Sequence, residues 1–234
     1  MKIGLLGRKV GMTRIYDENG RATAVTVIEA GGNSPLEIKT QDKHGYTGIQ
    51  VGFSTQKEQR VSMGMLGHFQ KHDSEPKKWV REFRLKDGTV LPAELDLSVS
   101  QFAVGDVVDV IGQSKGKGFQ GIMKKHNTKG QGQSHGSMMH RRPGAIGCRS
   151  TPGRIWKNQS MPGHMGDERV TVQNLKVLQV RPDDGMILIT GAVPGANGCY
   201  VVIRPAIKVP RVKVVHAMPT KGVKPAGKTP SKKK

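Results

Sequence analysis

The stretch that decides the fold reads GQSKGKGFQGIMKKHNTKGQGQSHGSMMHRRPGAIGCRSTPGRIWKNQSMPGHMG, from Gly112 to Gly166. Its 55 residues hold ten Lys/Arg, four His and twelve Gly, with no Asp or Glu. Like charges at this density repel, and so few apolar side chains cannot offset the entropy of ordering the chain. On its own the stretch is expected to be extended, and to order only against a polyanion. A phosphate backbone is the matching surface, because Lys and Arg that neutralise phosphates also release condensed counterions.

The flanks are β. Asp106-Val107-Val108-Asp109-Val110-Ile111 leads in, and strand signals resume at Asp167-Glu168-Arg169-Val170. The basic stretch is therefore an insertion anchored at both ends, an arm that leaves a rigid body and returns to it. Two limbs of ~25 residues at ~3.3 Å each allow a reach of ~70–80 Å before bends shorten it.

Further out, Ala24–Ile28, Leu36–Thr40, Gly48–Ser54, Arg169–Gln173, Lys176–Val180, Met186–Thr190 and Tyr200–Ile203 read as short strands. Turn signals such as Gly31-Gly32-Asn33 and Pro182-Asp183-Asp184-Gly185 separate them. This pattern predicts a mainly β protein built on a small closed or nearly closed barrel. The best helix candidate, Met63–Lys71, lies in Thr55–Leu95, a polar region that reads as a subdomain inserted between strands. Residues 209–234 form a basic, low-complexity tail expected to be disordered without a partner. The predicted organisation is thus a barrel over 1–208, interrupted by the 55–95 subdomain and the 112–166 arm, and followed by the tail.

Charge follows the same division. The 234-residue chain carries 38 Lys/Arg against 18 Asp/Glu, a net charge of +20. Ten of the basic residues lie in Gly112–Gly166 and nine in Lys208–Lys234, neither of which has an acid. The remainder is close to neutral, so the charge reads as binding apparatus on an ordinary scaffold. The two cysteines, Cys148 and Cys199, form no Cys-x-x-Cys pair, and free thiols fit a reducing cytoplasm. With no signal-like segment and no apolar run of ~18 residues, a soluble intracellular protein without a membrane partner is expected.

Several chemical readings compete within the arm. Gly116-Lys117-Gly118-Phe119-Gln120-Gly121 fits G-x-G-x-x-G after a strand, the fingerprint of a dinucleotide site. That fingerprint needs a following helix and an acid about 20 positions on. No acid occurs before Asp167, and Lys124-Lys125-His126-Asn127 starts no convincing amphipathic helix. Close approach of Gly116 and Gly118 to an RNA backbone, with charge from Lys115 and Lys117, fits better. His126, His135, His140 and Cys148 have no zinc-like spacing, so no metal or other cofactor is expected. Ser134-His135 or Cys148 with His140 lacks a carboxylate to orient the base, so no catalytic residue and no small-molecule substrate are expected. Lys115, Lys117, Lys124, Lys125, Lys129, Arg141, Arg142, Arg149, Arg154 and Lys157 are the candidate phosphate contacts, with His135 and His140 as further donors. Trp156 is either the plug of a small local core or a stacking platform for a base.

The residues resemble the bacterial form of the universal large-subunit ribosomal protein three family, over roughly Lys2–Lys208. The most specific match is Phe102, Asp109, Gly112, Ser114, Gly116-Lys117-Gly118 and Gly121, in the order and spacing of the family signature. Lys125 stands where that pattern has arginine, which keeps the charge but not the bidentate geometry. Other matches are Gly7–Thr13, Ser134-His135-Gly136, His140–Gly144, Met165–Gln173 and Gly191–Gly195. The resemblance implies a translation-protein-type β-barrel whose arm threads large-subunit (23S-type) rRNA toward the peptidyl-transferase centre, its tip near Gly147–Gly153. It also implies binding early in subunit assembly, neighbours that include the fourteenth and nineteenth large-subunit proteins, a place in the large subunit in the cytoplasm, and no catalysis. The glutamine that some members methylate at the tip is absent between Gly147 and Pro152, and the tail past Lys208 is additional to the family pattern. The function expected is that of a structural rRNA-binding protein of the ribosome. A nucleotide-dependent enzyme and a free-standing RNA chaperone are its rivals.

Overall fold

The computed structural model describes residues 3–85 and 97–208. Six strands close an antiparallel barrel in the order β1-β11-β6-β9-β10-β2. They are β1 (Leu5–Tyr16), β2 (Ala22–Glu29), β6 (Val107–Gln113), β9 (Arg169–Arg181), β10 (Met186–Thr190) and β11 (Tyr200–Pro205). Leu5, Leu6, Val25, Ile28, Val108, Val110, Ile187, Ile189, Val201 and Ile203 are buried in its core. Each such aliphatic side chain contributes about 1.5–3 kcal/mol by leaving water. Asp109 is buried among them as well. Its carboxylate accepts the backbone N–H groups of Asn174 (3.1 Å) and Ile207 (3.3 Å) and lies 3.7 Å from Arg204 Nη2.

The remaining strands of the first half form a separate sheet, β3-β4-β5, from β3 (Ser34–Lys39), β4 (Gly48–Thr55) and β5 (Lys77–Arg84). The strand signals at Leu36–Thr40 and Gly48–Ser54 thus belong to this sheet, not to the barrel. Its inner face, with Ile49, Val51 and Phe53, joins the barrel core. A one-turn α1 (Gln41–His44) links β3 to β4, and α2 (Met63–Lys71) lies between β4 and β5 over the predicted residues, burying Phe69.

The sequence did not announce β1 or β5. β1 interrupts its apolar residues with Gly7, Arg8, Lys9 and Gly11. β5, KKWVREFR, is mostly charged and has no fully buried residue. The runs Arg169–Gln173 and Lys176–Val180 are one strand. Asn174, at φ 60°, makes an irregularity that the pairing with β6 absorbs between Val108 and Val110. Residues 86–95 of the expected subdomain and the whole 209–234 tail lie outside the described residues.

The arm corrects the expectation of a segment without structure of its own. Its first and last residues pair, continuing the β6–β9 ladder outward. Ser114 N–H donates to Glu168 O (2.8 Å), Lys117 N–H to Met165 O (2.9 Å) and Met165 N–H to Gly118 O (3.0 Å). A short ladder, β7 (Phe119–Gln120) with β8 (Gly163–His164), extends this stem. A one-turn helix, α3 (Ile122–His126), does follow Gly121, with Lys125 N–H bonded to Gly121 O at 3.0 Å. The dinucleotide site still fails, because both barrel neighbours of β6 are antiparallel to it. From Asn127 to Pro162 there is no helix or strand.

Candidate nucleic-acid interface

The interface is built on the stem. Gln113 pairs with Arg169 at the end of β6–β9, and its amide donates to Asp167 at 2.5 Å. Gly166 closes the return limb at φ 75°, where any Cβ would run into the Lys115 carbonyl and the Gly116 backbone. Beneath the stem, buried Lys9 donates its ammonium to Val193 O (2.8 Å) and Gly195 O (3.2 Å). Gly195, at φ 96°, is packed so closely that a Cβ would stand 2.9 Å from Gln113 O. Lys9 thus fixes the turn on which the arm root rests. Burial, and then the charge of Lys115, push the Lys9 ammonium below its usual pKa. Nothing in the periodicity pointed to Lys9, because a lysine on a strand normally faces water.

The stem gathers three of the candidate phosphate contacts. Lys115 and Lys117 on the outgoing limb and Lys125 on α3 line one cleft of about 450 Å³ with His126, and among the described residues Glu168 is the only carboxylate on its wall. The His126 ring hydrogen-bonds to Met161 O (3.1 Å), tying the two limbs together beyond the stem. Gly118 takes φ 67°, which lets the backbone turn toward β7, while Gly116 and Gly121 do not need the left-handed region.

Farther out, the candidates are displayed, not assembled into a pocket. His135 and Gly136, both at positive φ, form the centre of a Ser134–Ser137 turn. His140, at φ 42°, begins the tight turn in which Arg142 N–H donates to Met139 O (2.8 Å). Gln131 N–H donates to His140 O (2.8 Å), closing the 131–140 loop so that both imidazoles are exposed. Lys124, Lys129, Arg141, Arg142, Arg149, Arg154 and Lys157 are exposed as well. Trp156 is 59% exposed, so it plugs no local core. Phe119 (75%) and Met138 (85%) are also exposed, leaving apolar groups interleaved with the cations.

Among the described residues, none of the arm's ten Lys/Arg has a carboxylate partner. The ion pairs lie on the barrel and the inserted sheet, as in Arg8–Glu29 (2.7 Å) and Lys39–Glu82 (3.1 Å). A surface of unpaired cations, exposed aromatic and thioether side chains and glycine turns suits a polyanion with stacking faces better than it suits any small substrate. Among the described residues, no three His, Cys, Asp or Glu converge as metal ligands, and no helix is long and apolar enough to cross a membrane.

The sequence model of the family described as Ribosomal protein L3 matches residues 35–186, well over half the chain. The chain belongs to the Ribosomal protein L3 family. The Large ribosomal subunit protein uL3 of Akkermansia muciniphila is 57% identical over 211 residues, 89% of this chain and 100% of the relative. Its namesakes from Brachyspira hyodysenteriae and Thioalkalivibrio sulfidiphilus are each 46% identical, over 88% and 89% of this chain and 95% and 99% of their own lengths. The family model's match takes in the whole of the arm. Ribosomal protein L3 is a family of structural ribosomal proteins, not of enzymes.

Proposed function

We propose that this chain is a structural constituent of the large ribosomal subunit in the cytoplasm, and that it holds large-subunit rRNA directly through residues 112–166. The observation that carries this is the pairing pattern. Ion pairs occur on the barrel and the inserted sheet, while the ten arm cations have none among the described residues, and the arm contains no acid to supply one. Lys115, Lys117 and Lys125 grip phosphate at the stem. Lys124, Lys129, Arg141, Arg142, Arg149, Arg154 and Lys157 do so along the limbs, with His135 and His140 donating from their turns and Trp156 stacking on a base. The glycines Gly116 and Gly118 let the RNA backbone come close.

The barrel, with its 55–95 insertion, stays on the outer part of the subunit, beside the fourteenth and nineteenth large-subunit proteins. The arm runs inward toward the peptidyl-transferase centre, and its early ordering on RNA helps to nucleate assembly. Family membership supports the ribosomal role, and the unpaired cations support the RNA contacts.

Sucrose-gradient sedimentation of a lysate tests this. The chain is expected to co-migrate with the large subunit at moderate salt. A chain found chiefly in the soluble fractions would point instead to a free RNA chaperone.

A further inference from the structure

Outside the arm, a second basic surface lies where the inserted sheet meets the barrel. There Trp79 of β5 stacks on Tyr200 of β11, ring centroids 5.2 Å apart and planes 26° from parallel. The Arg81 guanidinium sits 5.2 Å from the Trp79 ring centroid. Beside this stack opens a cleft of about 600 Å³, with Arg81 and Trp79 on one wall and Arg169, Gln113 and Tyr200 on the other. It meets a neighbouring cleft of about 690 Å³ that shares Arg81 and Arg169 and adds Arg204, together with Glu82, whose carboxylate is held by Lys39 and Tyr46, and Arg84, which lies 4.6 Å from the Tyr46 ring centroid.

The charge in this space is unbalanced. Neither Arg81 nor Arg169 has a carboxylate partner among the described residues. Arg204 reaches Asp109 only at 3.7 Å, and its buried Nε has no acceptor among the described residues. Three guanidiniums beside an aromatic stack form a site for an anion that carries a flat ring. A carboxylate-rich peptide would satisfy the arginines but leave the stack unused, whereas a nucleotide uses both. Position favours the same occupant, since Gln113 and Arg169 are the paired residues from which the arm departs. A strand following the arm to its root meets this cleft next. The volume falls within the ~300–1,000 Å³ of sites that enclose small ligands, enough for one nucleotide.

We propose that this cleft is a second RNA contact, holding one unpaired nucleotide of a single strand with its phosphate on Arg81 and Arg169 and its base against the Arg81–Trp79–Tyr200 stack. It rests on the RNA-binding role proposed for the chain but uses none of the arm's ten cations.

The chain has two tryptophans, so Trp156→Phe leaves Trp79 as the sole indole reporter and Trp79→Phe leaves Trp156 as reporter of the arm. The full-length chain is titrated with an unstructured oligouridylate, a blunt RNA duplex, inorganic tripolyphosphate and poly-glutamate. Oligouridylate is expected to quench Trp79, the other three probes far less. Arg81→Ala with Arg169→Ala, both at exposed positions, is expected to weaken the Trp79 response roughly tenfold, as removal of one stacked and charged interaction predicts, and to leave the Trp156 response in place. Trp79 emission that stays unchanged while Trp156 responds would overturn the cleft and leave the arm intact. Equal quenching by tripolyphosphate or poly-glutamate would overturn the nucleotide as occupant. Silence of both reporters would sink the RNA-binding role itself.

Discussion

Gln113 and Arg169 face each other across the last pair of the β6–β9 ladder, so the two limbs of the basic arm leave the barrel side by side. Anchoring both limbs on one rigid pair means that motion at the root would be passed along the whole arm. The structure guards that root with two devices, the Gly166 turn and the buried Lys9.

Replacing Gly166 by alanine is expected to destabilise the root by about 1–3 kcal/mol, combining the cost of a left-handed backbone with overlap on the Lys115 carbonyl. Limited proteolysis is the sensitive readout, with faster cleavage between Lys115 and Lys125. Cleavage at the wild-type rate would show that the stem does not depend on this turn.

Lys9→Met preserves length but leaves the Val193 and Gly195 carbonyls without their charged donor. A loss of about 1–3 kcal/mol in urea unfolding is expected, the usual cost of stranding buried polar groups. A variant as stable as the parent would mean that the turn holds without Lys9.

The barrel was largely legible in the sequence, because β2, β6, β10 and β11 are β-branched runs whose inward residues fill one core. What was not legible has specific physical causes. β1 spends its interior position at Lys9 on hydrogen bonds to backbone carbonyls, so the apolar pattern breaks where the residue matters most. β5 is held by pairing with β4 and by Trp79 and Phe83 on one face, and its charged outer face hides it. Strand signals in β3 and β4 gave no hint that these two would leave the barrel, since pairing partners are not encoded in local periodicity. The arm's cations stood out because no acid accompanies them. The pairing of its limbs did not, because glycine and lysine at Ser114–Gly118 carry no strand alternation.

The inserted sheet has its own pH dependence. Burial alone would raise the Glu82 carboxyl, but hydrogen bonds from Tyr46 (2.8 Å) and Lys39 (3.1 Å), with the charges of Lys39 and Arg84, outweigh it and hold the group below its ordinary value. A carboxyl depressed on folding stabilises the native state above its unfolded pKa of about 4.3, and that contribution is lost as pH falls through the lower folded value. Urea midpoints are therefore expected to drop below about pH 4.3 in the parent and to drop less steeply in Glu82→Gln. Parallel curves for the two chains would remove Glu82 from this role.

Arg141 and Arg142 stand side by side, both exposed and without a carboxylate partner among the described residues. Changing both to alanine is expected to weaken rRNA binding and to flatten the log–log salt dependence by up to about 0.7–0.9 for each phosphate no longer neutralised. An unchanged slope in filter binding would mean that neither arginine touches a phosphate.

The most direct test of the central claim removes the arm beyond its stem. A chain in which residues 127–162 are replaced by a short Gly/Ser link keeps the barrel, β7, α3 and β8 but loses six of the ten cations. Its affinity for large-subunit rRNA, measured by filter binding across a salt series, is expected to fall by orders of magnitude, with a salt slope shallower by several units. Affinity and slope equal to those of the full chain would contradict the arm as the RNA-holding element.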